Sequence, residues 1–329
     1  MFKTMKGMLL TLLAASLVLT MVGCSGKAAG SDKVVIYTNA DEEAVSAMET
    51  SLKNGGFEGQ YVLQSLGTSE LGGKLIAEGS KIEADLVTMS SYFLESAQSK
   101  NAMFKDLEFE TGAIDSYPAY YAPVLGNTGS IFVNTEVLKE KGLPVPTSIN
   151  DLTKPEYKGL VSIPNIMDSS TAWLLVQSVI SQYGEDGAND VFKNLIANVG
   201  PHLESSGSGP IKKVQAGEVA AGFGLRHQAV KAKESGAPID FIDPSEGNFS
   251  LTEAVAVVNK DNETTKLAMK MAETIIKDAR AELIKSYPVA LYEGETVSDV
   301  NKPAHAMNFE SPLTVELLKQ HQDIFNAAK

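Results

Sequence analysis

From residue 33 onward the chain alternates short apolar runs with stretches whose apolar residues recur every three or four positions, the pattern of strands followed by amphipathic helices. Residues 34–37 (VVIY) predict a buried strand, and Val45, Met48 and Leu52 then share one face of a helix stopped by Gly55 and Gly56. The pattern returns as a strand at 61–64, a polar turn at 65–69 and a helix carrying Leu71, Leu75 and Ile76. It returns again as a strand at 84–89, the turn Ser90 and Ser91, and a helix through Leu94 and Ala97. Repeated strand, turn and helix units predict an α/β architecture on a mostly parallel sheet. The turns at 38–41, 67–70 and 90–92 should then lie at its C-terminal edge, where open sheets bind ligands.

Residues 117–134 (YPAYYAPVLGNTGSIFVN) break this rhythm: they read as extended, are interrupted by Gly126 and Gly129, and have no helix between their halves. Such a segment predicts a crossover into a second lobe. That lobe has a strand at 160–163, a loop at 165–171 ending in an N-cap cluster, and a helix at 172–183 burying Trp173, Val176 and Ile180. A helix at 190–197, a polar turn at 205–209 with Pro210 opening a short helix, and a strand at 219–224 follow, the last delivering Arg226 and His227 to its end. Residues 240–258 give a strand, a turn and an apolar strand crossing back, and helices at 263–277, 278–286 and 312–327 finish the chain. The expected organisation is a first lobe of 33–128 and 258–329, with the C-terminal helices packing on both lobes, and a second lobe of 129–257. Extended crossovers between two lobes make a cleft.

Ahead of this region, Lys3 and Lys6 precede an apolar run from Met8 to Val22 that is shorter than a bilayer span, and the small residue Gly23 stands before Cys24. A basic start, a short apolar core and a small residue at the cut describe a secretory signal over 1–23. The stretch LTMVGC is similar to a bacterial lipoprotein signal, which makes Cys24 a lipidated N-terminus on the outer side of the membrane and 24–32 a small, polar tether. Cys24 is the only cysteine, so no intramolecular disulfide forms and stability rests on packing.

Bulk composition adds a few exclusions. The 329 residues are 43% hydrophobic with a formal net charge of −13, which disfavours nucleic acid or anionic lipid as a partner, since both need a basic footprint. The four histidines (His202, His227, His305, His321) are scattered without metal-ligand spacing, and neither G-x-S-x-G nor H-E-x-x-H occurs. An anchored phosphoester hydrolase is therefore only a remote reading.

Six segments in order, IYTNADEEAV at 36–45, GTSELGGKL at 67–75, ADLVTMSS at 84–91, YKGLVSIPNIMDSSTAW at 157–173, GEVAAGFGLRHQA at 217–229 and DPSEGNFSLTEAVAVV at 243–258, resemble the bacterial extracellular solute-binding proteins that feed ABC importers. The resemblance is to the branch holding ferric-ion and 2-aminoethylphosphonate binders, and it spans nearly all of 33–329. It implies a two-lobed, periplasmic-binding-protein-like (class II) fold that closes on a ligand about hinge crossovers at 125–130 and 254–260 and delivers that ligand, as a monomer, to a membrane permease. It implies no catalysis and no cofactor; service to a sensor instead of a permease stays open.

Ferric binders of this branch use adjacent tyrosines in the second lobe, where this chain has Leu225, Arg226 and His227. The pair Tyr120 and Tyr121 lies on an extended strand, whose consecutive side chains point to opposite faces. Arginine suits a phosphoryl or carboxylate group, and Asn39, Thr68, Ser69, Ser90, Ser91, Ser169, Ser170 and Thr171 lie at turns before helices, where free N–H groups and hydroxyls favour an oxyanion. Capping alone would also explain each cluster. His227 is a further candidate donor and Glu246, near Asp243, a candidate partner for a ligand ammonium. The expected ligand is a small phosphonate or organophosphate-type anion, with 2-aminoethylphosphonate the best match and ferric ion or a polyamine the alternatives.

Overall fold

A computed structural model describes residues 33–260, 262–297 and 302–329; the expected signal peptide, Cys24 and the tether lie outside the described residues. β1 (Val34–Thr38) leads through Asp41 into α1 (Glu42–Asn54), β2 (Tyr61–Ser65) into α2 (Thr68–Glu78), and β3 (Leu86–Ser90) directly into α3 (Ser91–Asn101). All residues of β3 are buried, as expected of a parallel strand covered on both faces. Asp41 caps α1 by accepting the Ala44 N–H at 3.1 Å, with Glu42 and Glu43 in the first turn where the helix dipole favours acids.

After β4 (Phe104–Lys105) comes the long β5 (Tyr121–Asn134), which Asn134 ends by capping α4 (Thr135–Lys141), a short helix that periodicity did not announce. The second lobe follows as β6 (Val161–Pro164), α5 (Thr171–Val199), β7 (Leu203–Glu204), α6 (Gly209–Gln215), β8 (Ala221–Leu225), α7 (Arg226–Glu234) and β9 (Ile239–Ile242). α5 breaks at Gly184, whose φ of 68° only glycine adopts cheaply, so the helices predicted at 172–183 and 190–197 are its two halves. β10 (Asn248–Val258) returns to the first lobe, and α8 (Glu263–Thr274) runs through a π-helical turn into α9 (Arg280–Ser286); β11 (Ala306–Met307) and α10 (Val315–Ala327) close the chain.

One sheet links the two lobes. β1 pairs in parallel with β2 and β3, and β10 runs antiparallel between β3 and β5. β5 changes neighbours midway: residues up to Thr128 lie beside β10, and residues from Gly129 on lie between β8 and β9. Gly129 is needed at this switch because a Cβ there would stand 2.7 Å from the Phe223 ring and 2.9 Å from Leu174. β10 runs beside β3 from Glu253 onward.

The core lies on both faces of this sheet. α1, α8 and α9 cover one face of the first lobe through Met48, Leu52, Met271 and Leu283, and α5 buries Trp173 and Phe192 against the other elements. α10 packs on α5, with the Phe192 and Phe325 rings 5.4 Å apart. A side chain such as Leu52 or Phe192, fully buried, contributes about 1.5–3 kcal/mol. Among the described residues no helix is long and apolar enough to cross a membrane.

Candidate functional site

The strand ends decide where the polar turns meet. β1 and β2 are parallel neighbours, so the loops that follow them bring Asn39, Asp41 and Thr68 to one edge. β6 is a parallel neighbour of both β7 and β8, so the loop at 165–170, the turn at 205–208 and Leu225 emerge side by side from the other lobe. A cavity of about 180 Å³ lies between these edges. Its walls include Asn39, Asp41 and Thr68 from the first, and Ser169, Ser170, Thr171 and the 205–208 turn from the second. Asn127 of β5 and Glu253 of β10 complete it.

Two long helices point their N-termini here. α2 starts behind Gly67 and α5 behind Ser170, neither with a side-chain cap; at α5 the Ala172 and Trp173 N–H groups donate to the Ser169 and Ser170 carbonyls, so α2 offers the more open N-terminus. Gly207 lets the serine turn press against α5: a Cβ on it would lie 2.2 Å from the Thr171 Oγ1. No lysine or arginine lines the cavity among the described residues. Donors therefore come from hydroxyls and helix ends.

Glu253 sits where β10 shifts register against β5, between its pairings Glu253 to Leu125 and Ala254 to Pro123, an irregularity of the kind that re-aims side chains beside binding sites. It is only 5% exposed; Oε1 accepts the Ser90 hydroxyl at 2.7 Å, while Oε2 makes no well-formed hydrogen bond. Burial pushes its carboxyl up to about 7, against the opposing influence of Ser90 and Asn127 and with help from the Asp41 charge. The Oδ1 atoms of Asn39 and Asn127 are likewise buried without a partner, and the Asn39 amide donates to the Thr68 hydroxyl at 3.0 Å. Unsatisfied buried acceptors cost about 1–3 kcal/mol each, so these groups are set up for a donor that the protein does not supply.

Beside the cavity, contacts span the cleft. The Ser69 hydroxyl donates to the Met167 carbonyl at 2.6 Å, Lys231 pairs with Glu43 at 3.1 Å, and His227 Nε2 lies 3.3 Å from Asp41 Oδ2 without hydrogen-bond geometry. The His227 ring also packs on Tyr287, centroids 4.2 Å apart, and Tyr287 donates its hydroxyl to Asp41. Burial raises the Asp41 carboxyl, but His227, Tyr287 and the Ala44 N–H outweigh it and hold it below the ordinary value.

The sequence candidates thus divide. Asn39, Thr68, Ser169, Ser170 and Thr171 line the cavity. Ser90 lies beneath it, holding Glu253, while Ser69 spans the cleft and Ser91 opens α3 away from the lining. Arg226 is turned elsewhere: 3% exposed, it clamps Asp243 through Nε at 2.8 Å and Nη2 at 3.2 Å and stacks 4.5 Å from the centre of the Phe241 ring. Glu246 accepts the N–H groups of Ile149 and Asn150 and the Tyr183 hydroxyl, each at 3.0 Å, so it serves a turn of the second lobe. His227 faces Asp41 and does not line the cavity. Glu253, Asn127 and the 205–208 turn were not among the candidates; an acid interrupting the apolar strand LTEAVAVV is the signal that marks the first.

Comparison with known proteins places this architecture in a class. The fold matches the periplasmic binding protein P5PA at a TM-score of 0.75 with 17% identity, covering 90% of this chain and 99% of that one. It also matches AfuA from Actinobacillus pleuropneumoniae with fructose-6-phosphate bound, at a TM-score of 0.69 and 21% identity over 90% and 97% of the two chains. At the sequence level, residues 82–309 match the family described as bacterial extracellular solute-binding protein, and the chain belongs to that family. The spermidine/putrescine-binding periplasmic protein of Escherichia coli strain K12 is 25% identical over 195 residues, 53% of each chain. The chain spans about half or less of the length of the curated relatives it matches.

Proposed function

We propose that the protein captures a small phosphonate or organophosphate-type anion, with 2-aminoethylphosphonate the leading candidate, and hands it unaltered to an ABC permease outside the cytoplasm, tethered through a lipidated Cys24. The observation that carries this reading is the convergence of hydroxyl-bearing turns and the N-termini of α2 and α5 on one cavity of about 180 Å³. That volume lies below the ~300–1,000 Å³ of drug-sized ligand pockets and suits a compact solute. Helix N-termini and hydroxyls hold tetrahedral oxyanions without needing a lysine or arginine. The lobes, read as 33–128 with 258–329 and as 129–257, would rotate about 125–130 and 254–260, and the contacts from Ser69, Lys231 and His227 across the cleft would favour the closed form.

Asp41, Asp168 and Glu253 in the walls favour a second reading, capture of a polyamine. Ferric ion fits less well, because no tyrosine or histidine lines the cavity among the described residues. A thermal-shift panel of phosphonates, inorganic phosphate, sugar phosphates, putrescine, spermidine and ferric salt separates these, since a ligand raises the melting temperature according to its affinity and concentration. A shift with phosphonates or phosphate esters is expected. A shift with polyamines alone would overturn the anion reading.

A further inference from the structure

The cavity is chemically divided. Turns and helix ends supply donors, while Glu253 Oε2, Asn39 Oδ1 and Asn127 Oδ1 form a group of acceptors with no partner in the protein. These acceptors belong to one edge of the first-lobe sheet. Asn39 follows β1, Glu253 of β10 is registered against Ser90 of β3, and Asn127 of β5 is registered against Leu251 of β10. A primary ammonium offers three donors and no acceptor; a hydroxyl offers one donor and would set its own lone pairs against the remaining oxygens. We infer that Glu253, with Asn39 and Asn127, is a specificity site for a primary ammonium on the ligand, and that binding the ammonium expels the carboxyl proton of Glu253 to solvent. The inference rests on the anion reading for the other end of the ligand and assigns the amine to Glu253 instead of Glu246.

Proton release follows from electrostatics at this position. Glu253 faces the Asp41 carboxylate from the loop after β1, the Ser90 hydroxyl of β3, the Tyr92 phenol of α3 and the Asn127 amide of β5. Asp41 is itself in contact with His227 and Tyr287. No cationic side chain is among these neighbours, so in the empty cavity the carboxyl holds its proton into the neutral range, and a ligand ammonium beside it removes the reason to do so.

The test is calorimetry on the full chain with 2-aminoethylphosphonate, 2-hydroxyethylphosphonate and ethylphosphonate, in buffers of differing ionisation enthalpy. The amine should bind about 10- to 100-fold more tightly than either analogue, as for a hydrogen bond to a charged group. At about pH 6 it should release up to about one proton more than the analogues, whose phosphonates can also give up a second proton on binding, with affinity rising towards neutrality. Glu253→Gln, checked for its unfolding transition, should abolish both the preference and the excess release. Equal binding of all three with equal proton release in the unaltered protein would overturn the inference while leaving anion capture standing; binding of none would overturn both.

Discussion

Glu253 makes stability depend on pH in a direction that can be worked out beforehand. Its carboxyl rises from 4.5 to about 7 in the folded protein, chiefly by burial, so between these values the native state keeps a proton that the unfolded chain gives up. Stability from this group is therefore fully present below 4.5 and lost as pH climbs through 7. At ~1.4 kcal/mol per pH unit the loss is about 3 kcal/mol. Glu253→Gln has no proton to lose and keeps an oxygen for the Ser90 hydroxyl. Urea and thermal unfolding of both proteins without ligand should give similar stabilities at about pH 4.5, and at about pH 8 the variant should be more stable by about 3 kcal/mol, or roughly 5 °C for a chain of this size. Other titrating groups are common to both proteins and cancel in the difference. A difference that does not vary with pH would refute the assignment of a buried, proton-holding carboxyl.

Arg226→Ala should lower stability by about 3 kcal/mol in urea, because it strands Asp243, whose side chain is 11% exposed; unchanged stability would show the pair to be dispensable. Gly207→Ala puts a Cβ 2.2 Å from the Thr171 Oγ1 and should cost about 1–3 kcal/mol while weakening ligand binding; unaltered affinity would separate the 205–208 turn from the site. Ligand affinity should change less than about threefold between 50 mM and 200 mM salt, since buried dipoles are screened far less than exposed charges; a steep decline would point to exposed cations as the anion's partners.

Periodicity announced most of the fold, since strands such as β1 and β3 and the apolar faces of α1 and α5 bury residues at the spacing that each element requires. The hydroxyl turns were legible too, because Ser169, Ser170 and Thr171 must follow β6 at the sheet's C-terminal edge. What sequence could not show was which long polar side chain meets which partner. Arg226 finds Asp243 in the turn after β9, and Glu246 finds Ile149, Asn150 and Tyr183 from segments far away in the chain. Such pairings depend on how distant loops pack, and no local pattern records that. α4 was missed for a related reason: seven residues hold too few turns to display a 3.6-residue repeat.

The proposed capture of an anion by an acidic protein, without a lining lysine or arginine, presents no contradiction once distance is considered. The net charge of −13 is spread over a surface in contact with salt, which damps its field beyond about 8 Å under physiological conditions. Inside the cavity, N–H groups at the starts of α2 and α5 would act at contact distance and lose little to screening. A proton-holding Glu253 suits the proposed anion: an ionised Glu253 close to the oxyanion would repel it, whereas a protonated one does not. Below neutral pH, charge would then appear on Glu253 only when a ligand brings its own ammonium to balance it. Discrimination would follow, because a dianion without an amine gains the donors of one wall but leaves the Asn39 and Asn127 oxygens of the other unpaired.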